Sequence, residues 1–166
     1  VHVSNQRMHR GEWHRYVGWR LSEVTIGIIG AGRIGSRVIR HLAGFDCSRI
    51  LVNDIDSSLT LPSHPTCTIE WVDKSTLYRE ADIISIHVPL TRHTANLIAK
   101  EEISWMQPGT LLINTARGGI INEQDLFDAL QSGHLAGAAI PLNLMNVAVT
   151  LIQVGIRHGL DCRERL

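Results

Sequence analysis

The chain has no excess of charge, no cysteine framework and no long apolar run, and each absence excludes a class of protein. Among its 166 residues, Lys and Arg together number 16, and Asp and Glu also number 16. This balance favours neither a nucleic acid nor an anionic membrane as a partner. The three cysteines, Cys47, Cys67 and Cys162, form no CxxC pair, which favours reduced thiols and a cytoplasmic location.

Membrane and metal sites are not indicated either. No apolar run approaches the length of a membrane span, and residues 1–10 lack the apolar region of a signal peptide. Nine histidines occur, but none has a metal-ligand spacing such as HExxH. We therefore expect no metal site and no membrane partner. The 44% of hydrophobic residues is typical of one ordinary globular domain.

The first 22 residues are basic and carry a single acidic residue before Glu23. Their arginines are Arg7, Arg10, Arg15 and Arg20, against Glu12. Alone, this composition is compatible with a nucleic-acid-binding arm. We favour a solvated connecting segment, because the stretch is short and no second basic stretch supports it.

From residue 24 onward, apolar strands alternate with helical patterns. The predicted strands cover residues 24–29, 50–52, 67–69, 83–88, 110–114 and 135–140. The predicted helices cover residues 34–42, 73–79, 94–106 and 122–131, with Gly44 ending the first and Asn122 and Gly133 capping the last. Strands that alternate with helices predict βαβ units, right-handed crossovers and a parallel sheet.

A glycine motif lies between the first predicted strand and the first predicted helix. The segment Gly30-Ala31-Gly32-Arg33-Ile34-Gly35 is GxGxxG. In such a motif Gly30 permits the tight turn, Gly32 lets a pyrophosphate approach the backbone, and Gly35 lets the helix pack on the strand. The context predicts an α/β fold of the Rossmann type, a doubly wound parallel sheet in a single domain, with a dinucleotide at the helix N-terminus.

Asp54 ends the second predicted strand, about 20 residues beyond the last glycine of the motif. A carboxylate there accepts hydrogen bonds from both ribose hydroxyls of NAD and repels the 2′-phosphate of NADP. The sequence therefore favours NAD. The alternative is an ordinary turn aspartate.

Two longer segments resemble a known family. Residues 81–91 with Thr94 (ADIISIHVPLT) and residues 106–119 (MQPGTLLINTARGG) are similar to the signatures of D-isomer-specific 2-hydroxyacid dehydrogenases. The resemblance extends over about residues 7–140, and the most similar branch is D-3-phosphoglycerate dehydrogenase. It implies an NAD-dependent oxidoreductase that acts on a small-molecule 2-hydroxy or 2-keto acid, and it favours a homodimer.

The resemblance also implies particular residue roles. Arg33 and Ile34 would contact the pyrophosphate; Val88, Pro89 and Thr94 would line the cofactor cleft; Thr115 and Ala116 would present backbone groups near the nicotinamide. Arg117 would be the catalytic residue, because a planar guanidinium binds the carboxylate of a substrate bidentately. The alternative for Arg117 is a surface arginine after a strand. His87 precedes a cofactor-contacting residue, and we do not expect it to be the proton donor.

The resemblance ends near residue 140. Pro141 stands where the family has an aspartate, and the surroundings of His158 and Glu164 do not match the family's acid–base pair. We interpret residues 1–22 as a connecting segment, residues 23–140 as the NAD-binding domain and residues 141–166 as a non-matching tail, with the substrate domain absent. The expected function is that of a dehydrogenase, here as a cofactor domain inactive alone. The alternative is a non-catalytic NAD(H)-binding or dimerisation module.

Overall fold

The computed structural model describes residues 2–13, 18–141 and 149–152. Five α-helices occur in this part of the chain: α1 (His2–His9), α2 (Gly35–Gly44), α3 (Lys74–Glu80), α4 (Lys100–Trp105) and α5 (Glu123–Ser132). Its strands are β1 (Thr25–Ile29), β2 (Arg49–Asn53), β3 (Thr68–Trp71), β4 (Ile83–Ile86), β5 (Thr110–Asn114), β6 (Leu135–Pro141) and β7 (Val149–Ile152). A 3-10 turn at Leu21–Glu23 leads into β1.

All seven strands form one sheet in the order β3-β2-β1-β4-β5-β6-β7. The six strands β1 to β6 are parallel, and β7 pairs antiparallel with β6. The chain builds one half of the sheet outward from β1 and then returns to β4 on the other side of β1. This reversal opens a crevice at the carboxyl ends of β1 and β4, which is where sheets of this kind bind ligands. The predicted Rossmann-type fold is confirmed.

The apolar core lies on both faces of this sheet, because successive side chains of a strand point to opposite faces. On one face, Ile26 and Ile28 of β1 pack in a buried cluster with Ile39 of α2. On the other face, Ile29 belongs to a buried cluster with Leu77 of α3. Helices therefore cover both faces and leave the carboxyl ends of the central strands accessible.

The six predicted strands all occur, with ends shifted by up to two residues, whereas two helix predictions were wrong. Gly44 was predicted to follow the end of α2, but it is the last residue of that helix. Asp46 adopts the left-handed conformation, with φ of 59°. Aspartate tolerates this conformation better than most residues. The helix predicted over residues 94–106 is only α4, because Ile98 forms a parallel bridge with Ile121 and leaves the helical path.

Candidate cofactor cleft

A cleft of about 710 Å³ lies at the carboxyl ends of the central strands. It is lined by the glycine motif, the segment after β4 and the segment after β5: Gly32, Arg33, Ile34, His87, Val88, Pro89, Leu90, Thr115, Ala116 and Arg117. Three segments that are far apart in the sequence thus meet around one volume.

Two glycines of the motif are required by the fold itself. Gly30 has φ of +97°, and a Cβ on it would lie 2.9 Å from Cγ1 of Val88. A Cβ on Gly35 would overlap the carbonyl oxygen of Gly30. The start of α2 therefore packs directly on the turn after β1, and no larger residue fits at either position without a backbone shift.

Gly32 differs from the other two glycines of the motif. A Cβ on Gly32 would meet no atom within 4 Å, and the residue lines the cleft. The internal packing of the chain therefore does not require glycine there. A Cβ at this position would occupy part of the cleft, in the place where a pyrophosphate approaches the backbone in this type of motif. The residues present fit a dinucleotide.

Asp54 is tied to the glycine motif. Its Oδ2 accepts a hydrogen bond from the backbone N–H of Ala31 at 2.6 Å, and its Oδ1 accepts one from the N–H of Asp56 at 3.1 Å. The N–H of Gly30 donates to the carbonyl of Asn53 at 2.8 Å. The end of β2 and the glycine turn are thus one hydrogen-bonded unit beside the cleft.

The end of β4 forms the wall opposite the glycine motif. The N–H of His87 donates to the carbonyl of Ile29 at 2.8 Å, which continues the pairing with β1 beyond the strand. Nε2 of His87 lies 3.0 Å from Oγ of Ser85, and burial lowers the pKa of the imidazole below its ordinary value. At neutral pH this histidine is therefore an uncharged wall of the cleft.

The end of β5 carries Arg117. Its Nη1 donates to the carbonyl of Ala116 at 2.8 Å, and its side chain is exposed at the cleft. The side-chain amide of Asn114, which is 1% exposed, bonds both residues: Oδ1 accepts from Ala116 N–H at 2.9 Å, and Nδ2 donates to the carbonyl of Arg117 at 2.7 Å. Sequence reasoning missed Asn114, although a polar residue that ends an apolar strand was a usable signal.

All but one of the predicted site residues either line the cleft or support the glycine turn beside it. Gly32, Arg33, Ile34, Val88, Pro89, Thr115, Ala116 and Arg117 line the cleft, whereas Gly30, Gly35 and Asp54 support the glycine turn. Thr94 does not line it. Its hydroxyl donates to the carbonyl of Pro89 at 2.6 Å and accepts from the N–H of Thr91 at 2.7 Å, so it stabilises the segment that follows β4.

The charges around the cleft suit an anionic ligand. Among the described residues, those that line it include the cationic side chains of Arg33 and Arg117 and no carboxylate. Pro141, at the carboxyl end of β6, also supplies no carboxylate there. His158 and Glu164 lie outside the described residues. Nowhere in residues 2–13, 18–141 and 149–152 do three or more His, Cys, Asp or Glu side chains form a possible metal site.

A second, smaller cleft of about 430 Å³ lies between α4 and α5. It is lined by residues that include Lys100, Ser104, Asp125, Asp128 and His134. Oδ2 of Asp125 accepts the N–H of Lys100 at 2.9 Å, and the imidazole of His134 is paired with the carbonyl of Ile103. Asp125 and His134 are thus engaged by other residues of this cleft, and none of its lining residues belongs to a predicted site.

Comparison with known proteins identifies the family. Residues 1–141 match the sequence model of a protein family, the D-isomer specific 2-hydroxyacid dehydrogenase, NAD binding domain. The chain belongs to this family. The family and NAD as its cofactor were both predicted from the sequence, and both predictions are confirmed. The family's members are NAD-dependent oxidoreductases that act on the CH–OH group of 2-hydroxy acids.

Three relatives illustrate the similarity. An aromatic 2-oxoacid reductase of Clostridium sporogenes is 39% identical over 124 residues, which are 75% of this chain and 36% of the relative. A D-3-phosphoglycerate dehydrogenase of Bacillus subtilis is 41% identical over 131 residues, 78% of this chain and 24% of the relative. The solved D-lactate dehydrogenase of Aquifex aeolicus, complexed with NAD and lactic acid, is 31% identical with a TM-score of 0.74, over 83% of this chain and 41% of that one.

The 166 residues thus span between a quarter and two fifths of the length of these relatives. The segment matched by the family, residues 1–141, includes the glycine motif and the ends of β4 and β5. Within the described residues, no helix combines the length and the apolar character that a membrane crossing requires.

Proposed function

We propose that the cleft binds NAD(H) and that the chain serves the interconversion of a D-2-hydroxy acid and a 2-keto acid. The observation that carries the proposal is the space beside Gly32. Its missing Cβ leaves room in the cleft, and no atom of the described residues lies within 4 Å of the place where that Cβ would be. A backbone exposed at the start of a helix, with unpaired N–H groups, is suited to a pyrophosphate.

The roles of the residues follow from their places around the cleft. The backbone of the glycine motif and Arg33 would hold the pyrophosphate, while Asp54 would accept the ribose hydroxyls. Val88 and Pro89 would form the apolar wall, and Thr115 and Ala116 would lie along the nicotinamide. Arg117 would orient the carboxylate and carbonyl oxygens of the substrate. When bound, NAD supplies the hydride-accepting group that side chains lack.

Proton transfer is the part of the reaction for which these residues offer no group. Hydride transfer from a hydroxyl carbon also requires a base for the hydroxyl proton. Of the described residues that line the cleft, only His87 has an imidazole, and its ring is held by Ser85. This observation favours a second candidate function, a non-catalytic NAD(H)-binding module, for a protein made of these 166 residues alone.

A homodimer in the cytoplasm is part of the proposal. The support for a second copy is three large apolar side chains before β1 that are exposed: Met8 is 60%, Trp13 82% and Trp19 51% exposed. Large apolar side chains in one segment are typical of protein–protein contacts. The free thiols of Cys47 and Cys67 suit a reducing compartment. Light scattering of the purified chain tests the dimer, and a monomeric mass at high concentration would refute it.

A pair of glycine variants tests the binding function. An added Cβ meets no atom of the described residues within 4 Å at Gly32 or at Gly44, and of these two glycines Gly32 lines the cleft. We expect Gly32→Val to abolish NADH binding in a fluorescence titration, and Gly44→Val, at the end of α2, to leave it unchanged. Equal NADH affinity of Gly32→Val and the wild type, with both folded, would overturn the proposal.

A further inference from the structure

Asn114 connects the buried end of β5 to the turn that carries Arg117. Its amide uses both of its functional groups on successive residues of that turn, because Oδ1 accepts the N–H of Ala116 and Nδ2 donates to the carbonyl of Arg117. The side chain is 1% exposed and does not line the cleft. It therefore acts on the cleft only through the backbone of residues 116 and 117.

Both backbone polar groups of Ala116 are held. The N–H of Ala116 is bonded by Asn114, and its carbonyl accepts Nη1 of Arg117 at 2.8 Å. An exposed arginine otherwise samples many rotamers, and fixing it costs side-chain entropy. Asn114 fixes the backbone of the turn from which the Arg117 side chain extends. The guanidinium of Arg117 is then held at the edge of the cleft by its hydrogen bond to the carbonyl of Ala116.

The geometry points to Asn114 as a positioning residue that sets the Ala116–Arg117 turn for cofactor binding and substrate orientation. The inference rests on the proposed function of the cleft. Asn114 touches neither substrate nor cofactor. Its amide holds the backbone of Ala116 and the side chain of Arg117 in place before a ligand binds. Binding then does not carry the entropic cost of ordering these groups.

A purely structural role makes a different prediction, and β5 itself offers the matched control. Thr110, at the opposite end of the strand, is also 1% exposed, and its hydroxyl donates to the carbonyl of Gln107 at 2.8 Å. Loss of either side-chain bond leaves buried polar groups unpaired and lowers stability. Only the loss at Asn114 should also change the cleft.

The substitution Asn114→Asp separates the two hydrogen bonds. Aspartate has nearly the same shape and still accepts the N–H of Ala116, but an ionised oxygen would face the carbonyl of Arg117 where Nδ2 now donates. A protonated carboxyl restores a donor at that place. Burial opposite a carbonyl raises the pKa of such a carboxyl, so the restoration should occur as the pH falls.

Other titratable groups at this edge are few and are shared with the wild type. His87 follows β4, the neighbour of β5, and Arg33 and Arg117 line the same cleft. On the other side, β6 offers Ala139 and Ile140 beside the end of β5, which carry no charge. The ratio of variant to wild-type affinity at each pH therefore removes the titration of His87.

The experiment measures NADH affinity by fluorescence from about pH 6 to about pH 8.5, together with amide hydrogen exchange at Ala116 in the ligand-free protein. We expect Asn114→Asp to bind NADH about tenfold more weakly than the wild type at the alkaline end and to recover at the acid end. Asn114→Ala should bind weakly at every pH, with faster exchange at Ala116. Thr110→Val should lose stability and retain NADH affinity. If Asn114→Ala does not fold, Asn114→Ser replaces it.

Several outcomes would overturn the inference. If the wild type binds NADH and the Asn114 variants bind it equally well, Asn114 has only a structural role, while the proposed function survives. If Thr110→Val weakens NADH binding as much as Asn114→Ala, the effect is one of general stability. If the wild type itself does not bind NADH, the proposed function fails and this inference fails with it.

Discussion

The carboxylate of Asp54 accepts the backbone N–H of Ala31 at 2.6 Å, so a charged side chain at the end of β2 is bonded to the turn after β1. This bond places the negative charge beside the glycine motif before any ligand is present. A ribose that lies against this turn meets the carboxylate directly, and a phosphate on its 2′ position meets a like charge.

Replacement of Asp54 by asparagine should therefore change cofactor preference more than fold. The amide oxygen of Asp54→Asn still accepts the N–H of Ala31, whereas the charge and the hydrogen bond from the N–H of Asp56 are lost. We expect the wild type to prefer NADH over NADPH and the variant to narrow this preference on the order of tenfold, chiefly through tighter NADPH binding. Fluorescence titration with both cofactors measures the ratio.

Asp56→Asn is the matched control for this substitution, because Asp56 is exposed and its side chain bonds Ser58 and not the glycine turn. Its cofactor preference should equal that of the wild type. Equal affinity of the wild type for NADH and NADPH would contradict the ribose role of Asp54.

Removal of the Tyr78 hydroxyl should stabilise the folded protein. The side chain is fully buried on α3, and its hydroxyl has no hydrogen-bond partner among the residues that the structure describes. Burial and then the nearby charge of Glu102 raise the pKa of the phenol strongly. Because an unpaired buried polar group is destabilising, Tyr78→Phe should raise the free energy of unfolding by about 1 kcal/mol.

Urea denaturation measures this change, and Tyr78→Leu is the control. Leucine also lacks the hydroxyl but fills less of the space against Trp105, so it should lower stability by about 2 kcal/mol. A Phe variant less stable than the wild type would mean that the hydroxyl is hydrogen-bonded in solution.

His87 predicts a specific acid sensitivity. Burial lowers the pKa of its imidazole from the ordinary value of 6.5, so the unfolded chain binds a proton more readily than the folded one. The stability associated with the neutral ring is present above about pH 6.5 and is lost as the pH falls through the lowered value, by at most about 1.4 kcal/mol per pH unit. His87→Gln should flatten this part of the stability profile.

The profile is obtained by urea denaturation between about pH 7.5 and about pH 4.5, with His93→Gln as the control. His93 is exposed on the segment after Pro89, so His93→Gln shows the effect of replacing a histidine that is not buried. Identical slopes for the wild type and His87→Gln would show that the buried imidazole is not the source.

Turnover separates the two candidate functions. A protein of these 166 residues should bind NADH without oxidising it in the presence of hydroxypyruvate, glyoxylate or pyruvate. The described residues that line the cleft include no recognisable acid–base pair, and such a pair contributes about 10²–10⁴-fold. Loss of NADH absorbance is the measurement, at high protein concentration. Robust turnover that disappears in Arg117→Ala would favour the catalytic function for these residues by themselves.

Local chemistry explains why much of the fold could be predicted. Short, largely apolar runs predicted all six parallel strands. Asn122 and Gly133 were predicted as the caps of α5, and both are confirmed: Asn122 accepts the N–H groups of Gln124 and Asp125, and Gly133 has φ of 78°. These features depend on a few neighbouring residues, so their physics is contained in a short stretch of sequence.

Features that depend on distant partners could not be predicted in this way. The strand β7 exists through its antiparallel pairing with β6, and nothing local in residues 149–152 specifies that partner. Thr94 fits the family pattern, yet its hydroxyl is engaged by Pro89 and Thr91. The role of Asn114 depends on the direction of an amide group, which no periodicity of the sequence records.

The most direct test of the proposed cleft is a map of the backbone amides that respond to NADH in the isotope-labelled chain. Chemical shifts should change at Gly32, Arg33 and Ala116, on both walls of the cleft, and should stay constant at Ser104 and Asp128, which line the cleft between α4 and α5. Changes at Ser104 and Asp128 with none at Gly32 and Arg33 would place the ligand elsewhere and contradict the account.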